Sequence, residues 1–334
     1  MNKVFKALVI FLILLNLTTL FSCKKEEDVN KSFPEIVQEL KSYKLIGKLE
    51  SNYPSGTKEC EVVVYYKSPN LYRVELTNEG NNEPQIMIKN NDGIYVLLPT
   101  VNKMFKVDSS WPNNSSYPYI LQSLSKDIIS DENLITTKDN DKTYLEFNAK
   151  MFDNAVASKQ KVTFNNDTNM PEEVLIYDDT NALIMRFVVN KLELNSNIDD
   201  LKFKVNDSMA SLRLTYANNP ISFDRLVTYP TYFPDGASLV SENITGSTND
   251  KTVFMKYGGD SPFTIIEQYV LSTEETKTNY VSGNIYMMGG AICIASNNSI
   301  FFYDSGMEYV VASTVLDYST MIKMGESLRT SNNK

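Results

Sequence analysis

Histidine is absent from this sequence of 334 residues, which also has only three cysteines and one tryptophan. Imidazole is the commonest general base and metal ligand in proteins. Its absence therefore excludes Ser-His and Cys-His nucleophilic catalysis and the usual zinc ligand sets. An excess of positive charge is also missing, because the net charge is −9. Phosphate binding requires concentrated positive charge, so the composition argues against a nucleic-acid partner.

Long apolar runs are rare, and the most informative one lies at the amino terminus. A basic start is followed by the apolar run 7–20 and then by Leu20-Phe21-Ser22-Cys23. The run is shorter than the ~20 apolar residues that a transmembrane helix needs. This arrangement looks like a bacterial lipoprotein signal peptide, residues 1–22. We therefore expect cleavage before Cys23, a lipid on Cys23 and a body anchored to the extracytoplasmic face of the cell membrane.

The rest of the chain is long enough for about two domains of ~150 residues each. Residues 23–31 are mostly charged and predict a short lipid-anchored tether. We predict a first domain at 32–206, a polar crossover at 207–225 and a smaller second domain at 226–330.

The two cysteines beyond the anchor, Cys60 and Cys293, both lie in strand-like apolar stretches. A disulfide between them would have to join the two predicted domains, and its geometry cannot be tested from sequence. The alternative, which the apolar surroundings favour, is two buried thiols.

Apolar periodicity in the first domain changes between helix and strand. Ser32 is placed to cap a helix that ends near Tyr43, because apolar residues recur between them at helical spacing. Beyond it the period is two, with turn residues between the runs, and a second helix is predicted at 119–129. The predicted strands are 45–51, 60–67, 72–78, 84–90, 94–99, 103–107, 143–148, 159–165, 171–177, 182–194 and 203–205.

The second domain shows the same period, followed by a closing helix capped by Asp317 or Ser319. The resulting class is α+β and mostly β: an antiparallel sheet with helices on one face, then a smaller α+β domain. The strands predicted in the second domain are 237–243, 252–257, 264–272, 284–288, 291–296, 300–303 and 307–313.

Two stretches of the first domain resemble a known family. Tyr66-Lys67-Ser68-Pro69-Asn70-Leu71-Tyr72-Arg73 and Asn91-Asp92-Gly93-Ile94-Tyr95-Val96-Leu97-Leu98-Pro99 are similar to the lipoprotein carrier fold of LolA, LolB and RseB. The resemblance implies an unclosed antiparallel barrel that is apolar inside and plugged by helices. Carriers of this family typically have an arginine before the Pro-Asn pair, where this chain has Ser68. Lipoprotein transport itself is therefore the weaker expectation.

The second domain resembles a different group of proteins. Tyr229-Pro230-Thr231-Tyr232-Phe233-Pro234-Asp235-Gly236 and Lys256-Tyr257-Gly258-Gly259 look like the small C-terminal domain of lipoproteins from spore-forming Firmicutes, including the GerS-type germination lipoproteins. That resemblance implies a non-enzymatic partner of a spore-cortex enzyme.

Soft and aromatic side chains suggest an apolar pocket on the concave face of the predicted barrel, because such side chains suit a promiscuous pocket. Ordinary core packing of the same residues is the alternative. The candidate pocket residues are Met87, Tyr95, Leu97, Met104, Phe105, Trp111 and Tyr119.

No catalytic, metal or cofactor site is predicted. Gly258-Gly259 and Gly289-Gly290 lack the following helix and Gly-Lys-Ser/Thr of a phosphate loop and indicate turns. Acidic residues that could pair for acid–base chemistry lie beside Asn, Lys or Thr in predicted turns or strand ends, where a carboxylate is simply solvated. These are Asp139, Asp141, Asp199, Asp200, Glu172-Glu173 and Glu274-Glu275.

Three functions are compatible with these features. The first is a membrane-anchored, non-enzymatic adaptor for an envelope or spore-cortex protein, linked to sporulation or germination. The second is a carrier or sensor that binds a lipid or a lipoprotein acyl chain, and the third and weakest is a carboxylate-dependent hydrolase.

Overall fold

The computed structural model describes residues 28–53, 56–79, 84–150, 158–216, 227–247, 250–270 and 275–330. Four α-helices occur among them: α1 (Val29–Glu39), α2 (Leu121–Ser130), α3 (Val205–Tyr216) and α4 (Tyr318–Thr330). Short 3-10 helices span Pro99–Val101 and Asp200–Phe203. The strands are β1 (Ser42–Tyr53), β2 (Gly56–Lys67), β3 (Leu71–Asn78), β4 (Gln85–Asn90), β5 (Gly93–Leu98), β6 (Lys103–Asp108), β7 (Ile135–Asp139), β8 (Lys142–Ala149), β9 (Ser158–Asn165), β10 (Met170–Tyr177), β11 (Leu183–Leu194), β12 (Ser238–Thr245), β13 (Thr252–Gly258), β14 (Phe263–Tyr269), β15 (Lys277–Ser282), β16 (Asn284–Met288), β17 (Ala291–Ser296), β18 (Ser299–Asp304) and β19 (Met307–Ala312).

The strands form two sheets. The large sheet has twelve strands in the order β15-β6-β5-β4-β3-β2-β1-β11-β10-β9-β8-β7, and the small sheet has seven in the order β12-β13-β14-β19-β18-β17-β16. The large sheet is unclosed, because its edge strands β15 and β7 pair with different neighbours and not with each other. All ladders are antiparallel except that between β15 and β6, which is parallel. The predicted mostly β class with an unclosed sheet is confirmed.

Helices α1 and α2 cover one face of the large sheet, which we call the inner face. Phe33 of α1 is fully buried, and its ring centroid lies 5.1 Å from that of Phe164 on β9. Alternate residues of β2 point into the same core, as the period of two requires. The segment between β6 and α2 also packs into this core, where its Trp111 is buried.

The small sheet shares the core of the large sheet through β16, β17 and β18. The rings of Phe105 and Phe301 lie 4.8 Å apart across this junction. Gln85 of β4 fixes it with two hydrogen bonds: its Nε2 donates to the carbonyl of Tyr303 (2.8 Å), and its Oε1 accepts from the N–H of Ile292 (2.9 Å). A buried amide of one sheet whose two partners both lie on the other sheet fixes how the sheets dock, because leaving it unpaired would cost about 1–3 kcal/mol. The opposite face of the small sheet packs against α4.

Helix α3 lies on the other face of the large sheet, the outer face. Arg73 of β3 is only 4% exposed, yet it is fully engaged. Its Nε donates to Glu75 (2.5 Å), and its Nη1 donates to Ser208 Oγ (2.7 Å) and to the carbonyl of Lys202 (3.1 Å). A second, smaller apolar cluster forms beside it from Ile86, Ile88, Leu97, Met104 and Met209.

Several sequence predictions need correction. Ser32 does not cap α1, which already begins at Val29 and ends at Glu39, so that Tyr43 belongs to β1. The strand predicted at 203–205 is wrong, because these residues end a 3-10 helix and begin α3. The predicted cap at Asp317 is confirmed: its Oδ1 accepts from the N–H of Thr320 (2.7 Å).

Two strands were missing from the prediction, and both are edges of the large sheet. Strand β7 is exposed along its whole length. Strand β15 comes from the predicted second domain and pairs with β6 of the predicted first domain. The boundaries 32–206 and 226–330 stay a prediction.

Cys60 and Cys293 are both buried and form no disulfide, as the apolar surroundings predicted. Burial raises the pKa of the Cys293 thiol. Cys60 lies beside the turn between β16 and β17, where Gly290 has a φ of +78°. A Cβ on Gly290 would stand 2.8 Å from Cys60 Cβ, so this turn requires glycine for space as well as for backbone conformation.

Candidate binding surface

The inner face holds four of the seven predicted pocket residues. Met87, Phe105, Trp111 and Tyr119 all belong to the large core and are at most 6% exposed. A chain of ring contacts with centroid separations of 5.0–6.2 Å runs along this face. Its members are Tyr43, Tyr66, Tyr72, Trp111, Tyr117, Tyr119 and Phe187. These contacts show the chain's own side chains packing against one another along the inner face.

The other three predicted pocket residues lie on the outer face. Leu97 and Met104 are buried in the small cluster under α3, and Tyr95 is half-buried against it. Met104 and Phe105 are consecutive on β6 and point to opposite faces. The structure thus divides the seven residues between two faces and does not bring them together.

Exposed apolar and aromatic side chains concentrate at one edge of the small sheet. Thirteen large apolar or aromatic side chains are exposed among the described residues, and seven of them lie on β12, on β13 or in the segment before β12. We call this the edge patch, and its members are Tyr229, Tyr232, Phe233, Leu239, Val240, Ile244 and Phe254. Scattered exposed apolar residues are normal, whereas this concentration on and beside one edge strand makes the patch a candidate interaction site. Phe254 lies on the opposite face of the sheet from Leu239 and Ile244.

Strand β12 is the central element of the edge patch. It is exposed at every residue and is the edge of the small sheet, paired only with β13. Leu239 and Ile244 share a face with their partners Tyr257 and Val253, which point toward α4. An edge strand with exposed apolar residues is a template for a further strand.

The segment before β12 is held in place by hydrogen bonds to two carboxylates, one of which is buried. Glu267 of β14 is 1% exposed, and both its side-chain oxygens accept from the N–H of Thr228 (3.2 and 3.1 Å). Burial raises the pKa of Glu267 to about 7, while nearby Lys251 lowers it and Glu242 raises it by smaller amounts. The Tyr229 hydroxyl donates to Glu242 Oε2 (2.6 Å), a bond that raises the pKa of Tyr229. These bonds anchor the aromatic residues of the edge patch beside β12.

The acidic residues that could have paired for catalysis are dispersed, except that Asp141 and Glu172 both pair with Lys142 (3.8 and 2.5 Å). Asp200 forms an ion pair with Lys67. Asp199 caps a 3-10 helix by accepting from the N–H of Leu201 (2.9 Å). Glu274 lies outside the described residues.

The described part of the chain contains no group of three or more Cys, Asp or Glu side chains arranged to hold a metal ion. Within the same residues, no helix has the length and apolarity needed to cross a membrane. Cys23 and the predicted signal peptide lie outside the described residues.

The edge patch was not predicted as a site, although part of its signal was visible. The run 229–236 was singled out for its resemblance to a family motif. Residues of β12 gave only a strand pattern, because sequence does not show which strand lies at an edge. A strand's exposure depends on sheet order, which is set by contacts distant in sequence.

An open sheet filled by helices and fused to a smaller sheet with an exposed apolar edge defines a mostly β protein with a surface suited to binding. Residues 2–203 match the family described as "Sporulation protein YdcC-like", and the chain belongs to this family. It is 28% identical over 338 residues to the sporulation protein YdcC of Bacillus subtilis (strain 168), with all of both chains covered. The resemblance to a sporulation-associated family is confirmed.

Solved structures give more distant similarities. The MucA/MucB complex of Pseudomonas aeruginosa is 13% identical with a TM-score of 0.30, covering 89% of this chain and 98% of that one. A LolA superfamily protein from Nitrosomonas europaea is 13% identical with a TM-score of 0.31, covering 53% and 96%. A putative outer membrane lipoprotein-sorting protein domain from Vibrio parahaemolyticus is 13% identical with a TM-score of 0.32, covering 54% and 99%.

Proposed function

We propose that this protein is a lipid-anchored, extracytoplasmic adaptor that binds an envelope or spore-cortex protein during sporulation or germination and is not itself an enzyme. The observation that carries the proposal is the edge patch, an exposed apolar surface built along β12, an edge strand whose outer side has no strand partner among the described residues. The absence of histidine in the sequence and the dispersed carboxylates support a non-enzymatic role. Family membership supports the link to sporulation.

The partner contributes an extended segment that pairs with β12. Strand addition supplies affinity through main-chain hydrogen bonds and specificity through alternate side chains. Leu239 and Ile244 project from the side of β12 on which Phe233 of the preceding segment also lies. The ring centroids of Phe233 and Tyr257 are 5.8 Å apart. A partner strand with apolar residues at alternate positions would cover this surface. The exposed Glu242 in the same strand favours a partner with a basic residue opposite it.

Affinity capture of the tagged full-length protein from membranes of sporulating cells tests the proposal. Mass spectrometry of the eluate should reveal a stoichiometric protein partner. The double variant Leu239→Ser/Ile244→Ser should retain less than about a tenth of it, since two apolar contacts are lost. The matched control is Ile135→Ser/Val315→Ser, because both side chains are also exposed but lie elsewhere. A partner retained equally by both double variants would contradict the role of the edge patch.

A second candidate function, lipid or acyl-chain binding, is favoured by a groove between α1 and α2. The groove has a volume of about 680 Å³ and is lined by Val37, Tyr66 and Ile129 among others. Lipid extracted from the same captured protein, without a stoichiometric protein partner, would support this function in place of the adaptor.

A further inference from the structure

A polar groove lies on the outer face of the large sheet, away from the edge patch. It is enclosed by the turn between β4 and β5, the start of α3 and strand β15, and it has a volume of about 530 Å³. Ligand sites in proteins are typically of this size, about 300–1,000 Å³. The side chains that matter for its chemistry are Asp92, Tyr95, Lys106, Lys204, Asp207 and Tyr280.

Two tyrosines stand in one row across the floor of this outer groove. Tyr95 is paired with Lys106 across β5 and β6, and Lys106 is paired with Tyr280 across β6 and β15. Paired residues share a face, so the two rings project from the same side, two strand spacings or roughly 10 Å apart. Tyr280 is 78% exposed, and the Nζ of Lys106 lies 5.4 Å from the Tyr95 ring centroid.

The charged groups around the row are balanced, and the Lys106 ammonium already lies over the Tyr95 ring. Asp92, Asp207, Lys106 and Lys204 form no ion pair with another described residue. Two carboxylates and two ammonium groups give the groove no net charge, so it does not select a polyanion or a polycation. Hydroxyl groups both donate and accept hydrogen bonds and can therefore satisfy carboxylates and ammonium groups together.

We propose that the outer groove binds a neutral oligosaccharide, with sugar rings stacked on Tyr95 and Tyr280 and their hydroxyls bonded to the surrounding Asp and Lys side chains. Tyrosine presents an apolar face that matches the C–H face of a pyranose ring, and its hydroxyl stays available to water. In a β-1,4-linked chain, alternate sugar units present the same face. The row of two tyrosines separated by one lysine fits such alternation, with the intervening unit over Lys106.

Calorimetric titration of the purified full-length chain tests this inference, with a β-1,4-linked N-acetylglucosamine tetramer as probe and an α-1,4-linked glucose tetramer as its comparison. The β-linked tetramer should bind, and the α-linked one should bind more weakly. Tyr280→Ala should raise the Kd roughly tenfold, as expected for loss of one stacked ring. Tyr280→Phe should restore most of the affinity because it keeps the ring face. Asp207→Asn should also weaken binding.

Tyr232→Ala is the matched control, since Tyr232 is an exposed tyrosine of the small sheet's edge patch. It should leave sugar affinity unchanged, and all variants should keep the unfolding midpoint of the unaltered chain. The inference is overturned if the β-linked tetramer does not bind, if Tyr280→Ala leaves its affinity unchanged, or if only a sulfated polysaccharide binds. Tyr280→Ala should leave capture of the protein partner intact, so failure of this inference is distinguishable from failure of the adaptor proposal.

Discussion

Replacing Glu267 by glutamine should change how the stability of the protein depends on pH. Glu267 is almost fully buried on β14, and its carboxylate accepts only from the backbone N–H of Thr228 among the hydrogen bonds described. Burying an ionised carboxylate with neutral partners is unfavourable, so the group retains its proton to higher pH. Glutamine keeps an oxygen that can accept from Thr228 and removes the charge.

The size of the effect follows from the pKa of Glu267, which rises from 4.5 to about 7 on folding. Between these values the folded protein holds a proton that the unfolded chain releases. Stability contributed by this group is therefore complete below pH 4.5 and is lost as pH rises toward 7. Each pKa unit corresponds to about 1.4 kcal/mol, so the total loss is about 3 kcal/mol.

Urea unfolding followed by circular dichroism at about pH 5 and about pH 8 measures this directly. The free energy of unfolding of Glu267→Gln, relative to the unaltered protein, should rise by about 2–3 kcal/mol between the two pH values. Comparing the variant with the unaltered protein cancels the contributions of the other titrating groups to the pH dependence, apart from the weak coupling between Glu267 and Glu242. Glu61→Gln is the control: Glu61 is an exposed carboxylate on β2, and its substitution should change the difference by less than about 0.5 kcal/mol.

Equal relative stabilities of Glu267→Gln at both pH values would refute the reasoning, because they would mean that Glu267 has the same pKa in the folded and unfolded states. A relative loss of stability at high pH would refute it more strongly. That result would show the carboxylate to be stabilised by the fold, with a pKa below its usual range.

Two further predictions concern the anchor and the outer face. Cys23→Ala should abolish incorporation of labelled palmitate and release the protein from the membrane fraction; labelling and fractionation equal to the unaltered protein would remove the lipoprotein assignment. Arg73→Met should lower the free energy of unfolding by about 3 kcal/mol in urea titrations, because Ser208 and the carbonyl of Lys202 lose a charged donor. A change below about 1 kcal/mol would show that α3 is held by its apolar contacts alone.

Period-two alternation was sufficient to predict strands that have one face in a core and the other face exposed. In β13, exposure alternates residue by residue from Val253 to Tyr257. Strand β15 was not predicted because it lacks such alternation. Its residues are polar and partly exposed, and its parallel partner β6 lies far away in sequence. Local patterning carries no information about such a pairing.

The candidate pocket shows what sequence could and could not establish. Met104 and Phe105 are neighbours on one strand, so the period of two already places them on opposite faces. That Met87 shares a face with Phe105, and Leu97 with Met104, depends on strand register. Register is fixed by long-range contacts such as those of Gln85 with the small sheet. The pocket residues were therefore identifiable as apolar positions on strands or, for Trp111 and Tyr119, in the segment before α2, but not as members of one site.

The protein's own side chains fill the inner face, and this bears on whether the protein acts as a carrier or as an adaptor. An acyl chain entering the core beneath α1, and not the groove between α1 and α2, would have to displace α1, whose Phe33, Val37 and neighbouring Leu40 are each at most 5% exposed. Exposing three such side chains costs roughly 5 kcal/mol or more at about 1.5–3 kcal/mol each, before the lipid makes any contact. The edge patch requires no such rearrangement, because Val240 and Ile244 are already 63% and 49% exposed. A partner that covers β12 gains that burial directly, which favours the adaptor on energetic grounds.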